Sequence, residues 1–147
     1  EVEKKYKLGI IPHYHDFKFV SENYMNDPEI LVIDLMTMDV EEVTRQILSC
    51  EKTISSSLHG IIVSHAYGIP SIWVEFSDKI FGDGIKYIDY LESVGLSVYK
   101  PKFLTGMKSS EELDVLIESL PNLPKKTKII ELQEGLIINC PFRSILE

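Results

Sequence analysis

The segment Ser55-Ser56-Ser57-Leu58-His59-Gly60 holds the side chains best suited to chemistry in this chain. Three small hydroxyl residues stand where a β-rich run gives way to helical periodicity. Free backbone N–H groups and the positive end of a helix dipole meet at such a junction, making a site for phosphate or carboxylate. His59 falls in the first turn of the expected helix, placed to donate a proton or a hydrogen bond to a bound anion. A structural role fits the same residues: serines are common helix caps, and His59 would then pack against a neighbouring loop.

The elements around this segment decide how it is presented. Short β-rich runs alternate with helical periodicity, the pattern of a mostly parallel sheet with crossover helices. Strands are expected at Tyr6 to Ile11, at Ile30 to Asp34, at Lys52 to Ser55 and at Ser71 to Phe76. Between the first two, residues 16 to 26 carry only a poor helical signal. A helix from Val40 to Cys50 is well marked: Asp39 caps it, Glu42 completes a capping-box spacing, and Val40, Val43, Ile47 and Leu48 form an apolar face. The helix holding His59 runs on to Tyr67 and stops at Gly68-Ile69-Pro70, where glycine takes a left-handed cap and proline blocks continuation. Further helices are expected at Ile85 to Val94 and, capped by Ser109 with Glu112, at Glu111 to Leu120. Thr127 to Ile138 reads as amphipathic and helical. The sequence thus predicts one Rossmann-like, doubly wound α/β domain over residues 1–147, with ligand groups in the crevice outside the carboxyl ends of its strands. Few residues precede Leu8-Gly9-Ile10-Ile11, as in a chain that begins at a domain boundary.

Other reactive side chains are less telling. His13 and Tyr14 follow a strand end and are expected to line the cleft. His13 and His15 lack a third ligand in sequence, so no metal site is expected. His65, six residues beyond His59, faces away from it and is expected to have a packing or surface role. Asp83, between two glycines, reads as a turn residue. Asp89 is spaced to pair with Lys86 one helical turn back. Trp73, Tyr87 and Tyr90 occupy positions that usually mean core.

A hydroxyl-rich turn, a helix with Ala66 near its end, then Gly68-x-Pro70 and a strand is also the layout of the donor-binding domain in GT-B glycosyltransferases. Three blocks narrow this: Gly9-Ile10-Ile11-Pro12-His13-Tyr14, Ser56-Ser57-Leu58-His59-Gly60-Ile61-Ile62, and Phe81-Gly82-Asp83-Gly84-Ile85-Lys86-Tyr87-Ile88-Asp89-Tyr90-Leu91-Glu92-Ser93-Val94-Gly95. Together, in this order, they resemble the polysaccharide pyruvyl transferase family. The resemblance implies the C-terminal half of a bacterial, GT-B-like enzyme of two domains, so that this chain alone is not a complete catalytic unit. It implies phosphoenolpyruvate as donor, no separate cofactor, and a saccharide acceptor on a polysaccharide or its lipid-linked precursor. The product would be a pyruvate ketal, and the partner domain would be the N-terminal half of the same enzyme.

On this resemblance His59 is the candidate acid or phosphate contact, and Lys86 the candidate anion contact. Ser55, Ser56, Ser57, Gly60, His13 and Tyr14 are candidate substrate-binding residues. Many family members carry an arginine just before the Leu-His pair, where this chain has Ser57. That removes a bidentate anion clamp. Either Lys86 or a residue of the other half compensates, or the donor and acceptor differ. A nucleotide-sugar glycosyltransferase and a noncatalytic sugar- or partner-binding domain are the alternatives.

Composition sets the outer limits. Fifteen basic residues against 23 acidic ones give a formal charge of −8, which argues against nonspecific binding to nucleic acid or anionic lipid. A local positive pocket for an anionic substrate remains compatible with that balance. The two cysteines, Cys50 and Cys140, form no CxxC pair and suit a reduced, cytoplasmic setting; the family resemblance implies peripheral contact with the inner face of the membrane through a lipid-linked acceptor.

Overall fold

Apolar residues alternate along the first strand, β1 (Tyr6–Ile11), and the alternation assigns its two faces. Leu8 and Ile10 join one buried cluster, while Ile11 joins another on the opposite side of the sheet. In the computed structural model, which describes residues 2–80 and 82–141, β1 is the second strand of a five-stranded sheet of order β2-β1-β3-β4-β5, with β3 at its centre. The other strands are β2 (Ile30–Val32), β3 (Cys50–Ser55), β4 (Ser71–Glu75) and β5 (Lys102–Phe103). Every pairing is parallel.

The helices complete a doubly wound fold. On one face α1 (Phe17–Tyr24) brings Val20 and Tyr24, and α5 (Ser110–Glu118) brings Leu113 and Ile117, onto Leu8, Ile10, Ile54, Ile72 and Val74. On the other, Ile47 of α2 (Val40–Leu48) packs with Ile11, Ile33 and Cys50, with Val63 of α3 (Leu58–Ala66) against them. Ile61 of α3 and Tyr87 of α4 (Ile85–Ser93) pack with Trp73. Both faces of the central strands are therefore buried, and this is why Ile30 to Ile33 and Ser71 to Phe76 read as near-continuous apolar runs.

Several expectations need correction. α1 forms despite its poor sequence signal, because Val20 and Tyr24 are buried by tertiary packing. The second strand ends at Val32; Ile33 N–H still bonds Ile10 O at 2.9 Å, after which Asp34 turns the chain by accepting from Met36 N–H. The α2 helix stops at Leu48, and β3 begins at Cys50, two residues earlier than expected. Only half of the expected box forms at α2: Asp39 accepts from Glu42 N–H at 2.9 Å, while the Glu42 carboxylate turns to Arg45 and Gln46. Val40, expected on the apolar face, is exposed. At α5 the full capping box of Ser109 and Glu112 is present.

Two further differences lie in the last third. The sequence carried no signal for β5, a two-residue strand with both side chains exposed. Short of its pairing, the Trp73 N–H is satisfied instead by the Tyr99 phenol at 2.7 Å. The last helix, α6 (Lys126–Ile138), has no buried residue, and Ile130, Leu136, Ile137 and Ile138 are exposed. It is helical as expected, but it does not lay an apolar face on this domain's core.

Candidate functional site

In the strand order β2-β1-β3, the chain leaves β1 toward one side for β2 and returns to the other side for β3. The crossover helices after β1 and β3 therefore lie on opposite faces, and a crevice opens outside the carboxyl ends of these two strands. The residues there are Pro12-His13-Tyr14 after β1 and Ser56 to His59 after β3. A cleft of about 540 Å³ occupies this place, lined by both segments, by Asp34 to Thr37 beyond β2, by α2, and by Lys86 of α4.

The three serines divide their work. Ser55 is fully buried; its hydroxyl hydrogen lies between Ile11 O (2.8 Å) and Ser57 O (2.7 Å), and its oxygen accepts from Ser57 N–H at 3.0 Å. Ser56, also buried, accepts from His13 N–H at 2.9 Å and so ties the two strand-end loops together. Ser57 borders the cleft, and its side chain makes no cap bond to α3. Ser57 therefore does not cap this helix through its own hydroxyl in the usual way, and the Tyr87 phenol lies against the Leu58 N–H of its first turn. Gly60 lies beneath. A Cβ there would stand 2.5 Å from Ser55 Oγ and 2.8 Å from Ile11 Cγ2, so the residue lets α3 sit directly on the strand ends. Ser55, Ser56 and Gly60 build the turn, whereas Ser57 and His59 face the cleft.

Other expected residues come together at the cleft's mouth. His59 is exposed and lines it, as do His13 and Tyr14. His13 packs against Tyr14 with ring centroids 4.3 Å apart and planes tilted by 36°, and its Nδ1 accepts a long 3.4 Å bond from His15 N–H. The ring's remaining hydrogen in the neutral form is then on Nε2. Desolvation, with the charges of His15 and Lys86, pulls the His13 pKa below its ordinary value, against the opposing effect of Asp16. Lys86 lines the cleft with its Nζ 5.3 Å from the Tyr87 ring centroid. Among the described residues it makes no ion pair with Asp89, contrary to the expected spacing.

Residues that sequence reasoning left outside the site complete its walls. Leu35, Val40, Val43, Ile47 and Val63 make one side apolar, and Asp34 adds a carboxylate. The α2 periodicity was the available signal for this wall, since Val40 and Val43 lie on its apolar stripe. Asp16, at the end of the β1 loop, is buried; Ser77 Oγ donates to its Oδ1, and its Oδ2 has no hydrogen-bond partner. Away from the cleft, His65 packs. Its Nε2 lies 3.0 Å from both Ser71 O and Asn122 O, and its Nδ1 lies 3.0 Å from Tyr90 Oη. Carbonyls only accept, so Nε2 carries the hydrogen and Nδ1 accepts from the phenol. Asp83 is the turn residue expected, accepting from Ile85 N–H at 3.1 Å. Among the described residues no three His, Cys, Asp or Glu side chains gather as a metal site requires, and no helix is long and apolar enough to cross a membrane.

Fold and cleft together define a doubly wound α/β domain with a partly polar cleft at its topological switch point. Residues 2–78, just over half of the chain, match the polysaccharide pyruvyl transferase family, and the chain belongs to that family. The match takes in β1 through the end of β4, with His13, Ser57 and His59, and stops short of Lys86. The chain is also 43% identical over 117 residues to an uncharacterized protein of Acanthamoeba polyphaga mimivirus. That similarity covers 76% of this chain but 40% of the relative, so the chain spans well under half of the relative's length. No solved structure matches the chain.

Proposed function

We propose that this domain binds phosphoenolpyruvate and supplies the donor side of a pyruvyl transfer to a sugar. The observation that carries the reading is the convergence, at the β1/β3 switch point, of the α3 N-terminus, which Ser57 does not cap, the Ser57 hydroxyl, His13, His59 and Lys86 on one cleft. Phosphate and carboxylate are the groups such donors hold best. In the reaction, a proton is added to the methylene carbon and C2 becomes electrophilic. One sugar hydroxyl adds there, the C2–O bond to phosphate breaks, and a second hydroxyl closes the ketal. The hydroxyls release two protons, which balance the one on the new methyl group and the one leaving with phosphate.

In this scheme His59 is the acid for the methylene carbon or a phosphate contact. Lys86 and the α3 N–H groups hold the anion, and His13 contributes a neutral N–H donor at Nε2. Lys86 takes on the task of the arginine that Ser57 replaces. The acceptor, a saccharide on a polysaccharide or its lipid-linked precursor, enters from the open side. An N-terminal domain of the same enzyme closes that side, and the reaction is cytoplasmic, at the inner face of the membrane when the acceptor is lipid-linked.

Calorimetric titration with phosphoenolpyruvate, beside a uridine diphosphate control, tests the reading. Binding of phosphoenolpyruvate that is lost in His59→Ala and in Lys86→Ala is the expected result. Binding of the diphosphate alone would overturn it in favour of a nucleotide-sugar glycosyltransferase.

A further inference from the structure

The turn that presents the α3 N–H groups has one carbonyl on which its geometry depends. Ser56 O accepts from the Tyr87 hydroxyl at 2.9 Å, a buried bond between α4 and the loop after β3. The same peptide unit carries Ser57 N–H, held by Ser55 Oγ. Both ends of the Ser56–Ser57 peptide are therefore fixed, one by the turn itself and one from another helix.

Tyr87 is in turn rigidly placed. It is 3% exposed, and its ring stacks on Trp73 with centroids 4.3 Å apart and planes 1° from parallel. Trp73 is closed over by Gly84, whose φ of 80° opens α4 and where a Cβ would stand 2.6 Å from the indole. The neighbouring residue along α4 is Lys86, the ammonium of the cleft.

We propose that Tyr87 is a positioning residue of this site: its hydroxyl orients the Ser56–Ser57 peptide, so that one helix sets both the backbone N–H groups and the Lys86 ammonium that face a bound anion. The inference rests on the donor-site reading for its ligand but not for its geometry. Tyr90, one turn further along α4, is the matched control. Its phenol is also engaged in a hydrogen bond, to His65 on the far side of α3 from the cleft.

Tyr87→Phe keeps the stacked ring and removes only the donor. Amide hydrogen exchange, followed by NMR without ligand, is expected to quicken on the order of tenfold at His13, Ser56 and Ser57 in this variant, because a buried carbonyl is left unpaired. The affinity for phosphoenolpyruvate should fall by a similar factor, on the order of tenfold. Tyr90→Phe should leave both the exchange and the affinity at wild-type values. Unchanged exchange at the three amides in Tyr87→Phe, an unchanged affinity, or an equal effect from Tyr90→Phe would each overturn the proposal. If the wild-type protein does not bind phosphoenolpyruvate, the donor reading fails on its own, and the exchange comparison still decides the role of Tyr87.

Discussion

Ser57 and Gly60 sit three residues apart in the same turn, and they answer to different demands. Ser57 borders the cleft without a cap bond, so on the proposed donor reading its replacement acts on a bound anion. Ser57→Arg restores the guanidinium that many family members carry here. It is expected to tighten phosphoenolpyruvate binding on the order of tenfold, since a bidentate charge-assisted clamp replaces a hydroxyl. Calorimetry checks this; weaker binding would show that the turn cannot direct a long side chain into the cleft. Gly60 answers to packing. Its missing Cβ would collide with Ser55 Oγ and Ile11, both part of the buried framework. Gly60→Ala should therefore cost about 1–3 kcal/mol in urea unfolding, the usual penalty of overpacking. An unchanged midpoint would mean that α3 can lift off the strand ends at little cost.

At the scale of elements, α2 and α3 do most to shape the cleft. α2 carries its apolar wall, and the start of that helix depends on Asp39 accepting from Glu42 N–H. Asp39→Ala should destabilise the protein by about 1 kcal/mol, a typical value for loss of an N-cap. A thermal melt should show the loss, and an unchanged Tm would mean that packing of Ile47 alone holds the helix. α4 acts on the site from outside the family match, through Tyr87 and Lys86. α6 stands apart: it has no fully buried residue, Ile129 and Leu132 are only partly covered, and its exposed Ile and Leu side chains are not accounted for by contacts among the described residues.

For the whole molecule, pH couples the interior to stability through His65. This imidazole is buried between α3, β4 and the loop at Asn122, and desolvation lowers its pKa despite the hydrogen bonds to Ser71 O and Asn122 O that oppose the shift. In the unfolded chain it titrates near its ordinary value of 6.5. As pH falls below that value, the unfolded state takes up a proton that the folded state resists. The unfolded state then binds more protons, so stability falls as pH falls. The net charge of −8 shrinks toward the isoelectric point near 5.0 over the same range, which relieves self-repulsion and works the other way. Comparison with His65→Gln isolates the imidazole. The Tm of the wild type should drop more steeply between about pH 7 and pH 5 than that of the variant. Parallel profiles would show that His65 charges as readily in the fold as outside it.

Much of this was legible in the chain of residues. Alternation in Leu8-Gly9-Ile10-Ile11, the continuous apolar runs of β2 and β4, and the stops at Gly68-Ile69-Pro70 and Pro121 determine a parallel α/β sheet, because these patterns are local and their periods differ between strand and helix. The turn at Ser55 to Gly60 announced itself through residue type, and the family through three short blocks. Which serine faces the cleft was decided only by tertiary structure. Ser55, Ser56 and Ser57 are chemically identical in sequence, and it is the approach of Ile11 O, His13 N–H and Tyr87 Oη that commits the first two to the frame. β5 escaped the sequence reading, and α1 gave only a poor signal, for the same reason, since pairing with β4 and burial against distant strands supply what their own residues lack. Local pattern determines which elements form; long-range packing determines which of their polar groups remain free to do chemistry.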